Sequence, residues 1–183
     1  VSDSAHVMMF LTNLEAQSLA VYPIHRLVKS PVSFDEADFM GQVENYFDVK
    51  PLNEGAGKNE IQKALDSVGE SDIVFCVYFG QGRGYFIKVK EKANMLPLLA
   101  ADEPEELQVL DVAQLHTVVF KTILKIDTKQ PSSQKYVTYK VDMLEALTRV
   151  DSGEFDLAFF MNATRVSEVR NLAEKGIRLP QKA

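Results

Sequence analysis

Apolar positions along the chain switch between a period of two and a period of three to four, and the switches mark its elements. Residues 7–12 and 19–24 are apolar runs around a polar segment, 13–18, which predicts an opening hairpin. Both runs carry apolar side chains on alternate faces, the pattern of central strands covered on each side. Ser33-Phe34-Asp35-Glu36 has the spacing of a capping box, and Phe39, Met40, Val43, Tyr46 and Phe47 recur at three- and four-residue steps, so a helix is predicted over 34–47. Residues 48–52 read as a short edge strand ended by Pro51, and 53–57 as a turn. Ile61, Leu65 and Val68 mark a second helix that Gly69 would stop.

Residues 73–79 and 85–90 read as two strands around Gly80-Gln81-Gly82-Arg83-Gly84, a hairpin. Residues 94–106 contain Pro97, Pro104 and several acids, which predicts a surface crossing without regular structure. Asp111 is the expected cap of a helix to Leu124, with Val112, Leu115, Val119 and Ile123 as its core stripe. Then follow a polar loop (129–134), a strand (136–141), a short helix (143–150) closed by Asp151-Ser152-Gly153, a buried strand (157–161) and a last helix (165–175) between Thr164 as cap and Gly176 as stop. Strands come first, helices and strands mix later, and no strict βαβ alternation appears. The predicted class is α+β, a mixed or largely antiparallel sheet with helices packed on it, one core and one domain over 1–183.

Composition narrows the function classes. The 183 residues, 46% hydrophobic and 25% charged, suffice for one substantial core without staples. Lys and Arg number 20 against 26 Asp and Glu, a net charge of −6, which argues against a nucleic-acid binder that works by bulk electrostatics. The longest basic cluster, Lys88-Val89-Lys90-Glu91-Lys92, is interrupted by an acid and reads as a solvated strand end. No window is long and apolar enough for a membrane span, and residues 1–6 lack a signal-peptide pattern, so the expected compartment is the cytoplasm. Cys76 stands alone in an apolar run, as a core thiol does. His6, His25 and His116 are far apart and have no metal-spaced partners, so no metal site is expected.

Candidate chemistry is sparse. The Gly80–Gly84 loop has the glycines of a phosphate loop, but a strand follows it where such loops lead into a helix, so a hairpin turn is the better reading. His25 and Arg26 stand where a predicted central strand ends. There His25 can serve as a base or phosphate contact and Arg26 as a two-point clamp on an anion; the plainer alternative is a packed histidine and a surface arginine. His116 flanks the core stripe of its helix, a place for a structural histidine. Asn162 and Thr164 sit where a buried strand enters a helix, either an anion-holding turn or a simple cap.

Four segments in order, Tyr22-Pro23-Ile24-His25-Arg26-Leu27-Val28, Leu110-Asp111-Val112-Ala113-Gln114-Leu115-His116, Phe160-Met161-Asn162-Ala163-Thr164 and Gly176-Ile177-Arg178-Leu179-Pro180-Gln181-Lys182, resemble the C-terminal part of the bacterial and archaeal family called domain of unknown function 1015. The resemblance implies a longer protein whose upstream half carries an Asp-Gly-His-His-Arg segment. That segment is similar to one of the sulfiredoxin and partition-protein nuclease group, some of whose members phosphorylate small molecules such as free serine. It also implies an aromatic tail after Pro-Gln-Lys. The family commonly has Asn-Pro-Thr and Met-Pro-Gln-Lys where this chain has Asn162-Ala163-Thr164 and Leu179-Pro180-Gln181-Lys182, changes that keep the polar residues.

From this resemblance His25, Arg26, His116, Asn162, Thr164, Gln181 and Lys182 are the candidate ligand- or anion-binding residues, with no catalytic residue and no cofactor identified. The first expectation is a substrate- or phosphate-binding half of a small-molecule enzyme, such as a phosphotransferase, inactive by itself. The alternative is a non-catalytic sensing, docking or dimerisation module. The partners implied are the protein's own upstream half, a small anionic or phosphorylated ligand and a second copy of the chain, with neither membrane nor nucleic acid.

Overall fold

A computed structural model describes residues 8–9, 11, 13, 20–69, 72–90, 98 and 104–180. Its centre is a six-stranded sheet in which every neighbouring pair is antiparallel, in the order β2-β4-β3-β6-β1-β5. The strands are β1 (His25–Val28), β2 (Phe47–Pro51), β3 (Val74–Gly80), β4 (Arg83–Val89), β5 (Val137–Lys140) and β6 (Leu157–Phe160). Helices α1 (Glu36–Val43), α2 (Lys58–Asp66), α3 (Glu105–Gln108), α4 (Asp111–Gln114), α5 (Met143–Asp151) and α6 (Val166–Glu174) complete the regular structure, with a π-helix over Leu115–Ile123 and a 3-10 helix over Pro131–Tyr136. The fold is α+β, as the residue pattern predicts. Among the described residues no helix is long and apolar enough to cross a membrane.

Alternation along the strands builds an apolar layer on each face of the sheet. Val28, Phe75, Val77, Phe159 and Met161 face α1 and the π-helix, and they pack on Phe39, Val43 and Phe120. Leu27, Cys76, Ala158 and Phe160 face α2 and α5, against Ile61, Leu65, Ala146 and Val150. Cys76 is fully buried, and burial pushes its thiol up to about 12, so it behaves as a core hydrophobe. Phe159 is the hinge of the first layer, with Phe120 at 5.5 Å and Phe39 at 6.3 Å, both edge to face.

Local sequence explains where the observed bounds depart from the predicted ones. The predicted strand over 7–12 lies for the most part outside the described residues, and residues 20–24 carry no regular structure. The strand begins after Pro23, at His25, because proline brings no N–H to a ladder. His25 and Arg26 therefore open the central strand β1, between β6 and β5, instead of following the end of one. The first helix is capped by Asp35, whose carboxylate accepts from the Asp38 amide at 2.8 Å, in place of Ser33. It stops at Val43, and Phe47 opens β2 instead, opposite Val89.

The β3–β4 hairpin turns on two residues, Gln81 and Gly82, with φ of 54° and 71°, the left-handed pair that suits the twist of an antiparallel ribbon. A Cβ on Gly82 would stand 2.5 Å from Gly55 Cα, so glycine is needed there twice over. Among the described residues of the predicted surface crossing, 105–106 are helical, and the predicted 129–134 loop contains the 3-10 turn. Leu110 rather than Asp111 is the N-cap of α4. At α6 the cap is Arg165, whose amide donates to the Glu168 carboxylate at 2.9 Å, one residue beyond Thr164. Gly176, at φ 69°, ends that helix as predicted, with the Ile177 amide donating back to Leu172 O at 2.9 Å.

Candidate functional site

The helix predicted over 111–124 is present, but beyond Gln114 it is wound as a π-helix. Its bonds close over longer loops: the Leu124 amide donates to Val119 O at 2.8 Å, and Thr122 Oγ1 donates to Thr117 O, five residues back, at 2.9 Å. The β-branched residues Thr117, Val118, Val119, Thr122 and Ile123 weaken the α preference of this stretch. The wider turn has a consequence for function. In an α-helix His116 and Lys121 would point about 140° apart, because each residue turns the chain by about 100°. In the π-helix both line one pocket.

That pocket, about 450 Å³, opens between the π-helix, the edge strand β5, the loop after the π-helix and the C-terminal stretch. Lys121, Lys129 and Arg178 bring positive charge to its wall, against Asp127. Thr128 and Ser133 supply hydroxyls, Tyr139 an aromatic face, and Leu107, Val112 and Ala113 an apolar side. His116 stacks on Phe120 at 5.2 Å, and its Nδ1 is 3.1 Å from Thr128 Oγ1. Its Nε2 is buried with no hydrogen-bond partner among the described residues. Burial, with Arg26 and Lys129 adding repulsion, pushes its pKa down to about 3, so the ring is neutral at physiological pH.

Arg26 lies behind this pocket. It is 1% exposed, its guanidinium stands 5.8 Å from the centre of the Tyr139 ring, and Nη1 donates to Ile24 O and touches Met161 Sδ. Burial lowers its pKa to about 10, still charged at neutral pH. It is thus neither a surface arginine nor a side chain open to a ligand; its charge is felt by His116 and Tyr139.

The other sequence candidates that the structure describes do not line this pocket. His25 points to the opposite face from Arg26, its ring edge on Phe160 at 5.0 Å, and it is 1% exposed. Burial first, then the Arg26 charge, push its pKa down to about 4, with Asp142 opposing. Asn162 donates from Nδ2 to Leu65 O at 3.2 Å, which ties the end of β6 to α2 on that same face. Thr164 is half-buried in the stretch leading into α6. Gln181 and Lys182 lie outside the described residues, while the neighbouring Pro180 lines the pocket. Of the seven candidates, His116 lines the pocket and Arg26 supports it, and the C-terminal motif reaches it through Arg178 and Pro180.

Lys121, Thr128, Lys129 and Tyr139 have no signal in the sequence beyond their residue types. A regular helix would have turned Lys121 away, and the loop residues meet His116 only through the fold. Among the described residues no group of three or more His, Cys, Asp or Glu side chains is placed to hold a metal ion.

No curated protein and no solved structure matches the chain. A family model described as a protein of unknown function, DUF1015, matches residues 2–113. The match spans the Tyr22–Val28 segment and the start of the Leu110–His116 segment, and the two later motifs lie beyond it. Covering more than half of the 183 residues, it shows that this chain belongs to the DUF1015 family of proteins of unknown function.

Proposed function

We propose that this domain binds a small phosphorylated molecule in the pocket beside the π-helix and forms one wall of the active site of a small-molecule enzyme. The reading rests on a contrast of charge. The chain as a whole carries −6, yet the pocket collects three cations against one carboxylate. Such a local reversal raises the concentration of anions at the opening and orients them inside. Thr128 and Ser133 add hydroxyls that can meet a ligand's oxygens without bringing a further charge into the wall. A phosphotransferase acting on a small substrate such as free serine is the version that the family resemblance suggests, with the chemistry supplied by residues upstream.

A thermal-shift titration against inorganic phosphate, ATP, ADP, serine and phosphoserine tests the reading, in the wild type and in Lys121→Ala and Arg178→Ala. The expected result is a raised midpoint with phosphorylated ligands that shrinks in both variants. No shift with any phosphorylated compound would sink it.

The docking alternative has one observation in its favour. Met8, Met9, Leu11 and Tyr22 are 98%, 71%, 82% and 67% exposed, an apolar set that suits contact with another surface. Sedimentation across a concentration series distinguishes the two readings: an association lost in Met9→Asp and Tyr22→Asp, without any ligand shift, favours docking.

A further inference from the structure

The pocket is not uniform along its length. Val112 and Ala113 line it at the start of the helical stretch, and Leu107 of α3 stands beside them. Lys121, eight residues beyond Ala113, lines it near the end of the π-helix, at most about 12 Å further along the axis. The loop after the π-helix brings Asp127, Thr128 and Lys129 to the wall, and Thr128 reaches back to His116. Along the helical stretch the wall is therefore apolar at its start and cationic near its end, with His116 between them.

Resting on the phosphate-binding reading above, we infer that the ligand is an amphipathic organic phosphate. Its head lies among Lys121, Thr128 and Lys129, and its aliphatic or aryl body lies against Leu107, Val112 and Ala113. Over the pocket as a whole, Lys121, Lys129 and Arg178 exceed Asp127 by two charges, which matches a phosphomonoester carrying about −1.5 to −2 at neutral pH. A cavity of about 450 Å³ falls in the range that holds drug-sized ligands, far larger than an inorganic phosphate requires. Leaving apolar wall against water in the bound state would forgo the burial energy that a body of this kind recovers.

Calorimetric titration of this chain with inorganic phosphate, methyl, butyl and hexyl phosphate, and hexanol separates this inference from the reading beneath it. The expected result is tightening of about threefold to fourfold per methylene buried, with hexanol far weaker than hexyl phosphate. Leu107→Ser should flatten the alkyl series, whereas Lys121→Ala should weaken every phosphate by a similar factor. Phosphate bound with no dependence on chain length overturns the amphipathic ligand and leaves the anion pocket standing. No binding by any phosphate overturns both, and hexanol equal to hexyl phosphate removes the anionic head. Ala113→Ser repeats the Leu107 test at a second point of the wall, and an unchanged alkyl series in both variants also overturns the assignment.

Discussion

Acidification from pH 7 to pH 5 should weaken the fold through its two buried imidazoles. His25 and His116 have folded-state pKa values of about 4 and about 3, below the ordinary 6.5. An unfolded chain therefore takes up these protons first as the pH falls. Each neutral ring contributes its full stability above pH 6.5, and that contribution is lost progressively below it, down to the folded-state value. At pH 5 each group has lost about 2 kcal/mol, about 4 kcal/mol together.

Asp111 works the other way. Burial, and then Glu168, push its carboxyl up to about 6, while Arg165 opposes, so it favours the fold more as the pH falls and returns about 1 kcal/mol by pH 5. The net expectation is a loss of about 3 kcal/mol, a large share of the 5–15 kcal/mol typical of a domain. Urea unfolding at intervals between pH 7 and pH 5 measures it. His25→Gln and His116→Gln should each remove about 2 kcal/mol of the fall, whatever they cost at pH 7. A wild-type stability that stays flat over this window, or a double variant that falls as steeply as the wild type, would refute the assignment of these rings as buried and neutral.

Three further outcomes follow from particular contacts. Gly82→Ala places a Cβ 2.5 Å from Gly55 Cα at a φ of 71°, and should cost at least about 2 kcal/mol in denaturant unfolding. Phe159→Ala removes a fully buried ring between Phe39 and Phe120, with an expected loss of about 3–5 kcal/mol by the same measurement. Arg26→Met removes the second-largest cause of the low His116 pKa, so the imidazole titration followed by NMR should move upward toward 6.5.

Much of the fold was legible because it depends on side-chain periodicity and on the geometry of single residues. Continuous apolar runs marked β3 and β6, alternation marked β4, and three- to four-residue steps picked out Phe39, Met40, Val43, Ile61 and Leu65, all buried in the structure. The proline at 23 and the left-handed glycines at 82 and 176 act locally, so their effects are properties of the chain. Even the displaced boundaries are local: Asp35 for Ser33 is a choice between neighbouring capping side chains of similar strength, and Arg165 for Thr164 is a shift of one residue at a helix end.

The candidate site was legible only in part, because pockets are made by contacts between distant segments. His25 and Arg26 are adjacent and equal candidates in the sequence, but strand alternation turns them to opposite faces, His25 against Phe160 and Arg26 against Met161, both buried. His116 looked like a core residue under α-helical geometry, and the switch to i→i+5 bonding aligned it with Lys121. Thr128 and Lys129 meet that ring, and Tyr139 meets Arg26, only through the placement of β5 at the sheet edge and the return of the loop over the π-helix. Local residue preferences thus determined the elements and the identity of the core, while the charge and depth of the pocket were decided by the tertiary packing that brings those elements together.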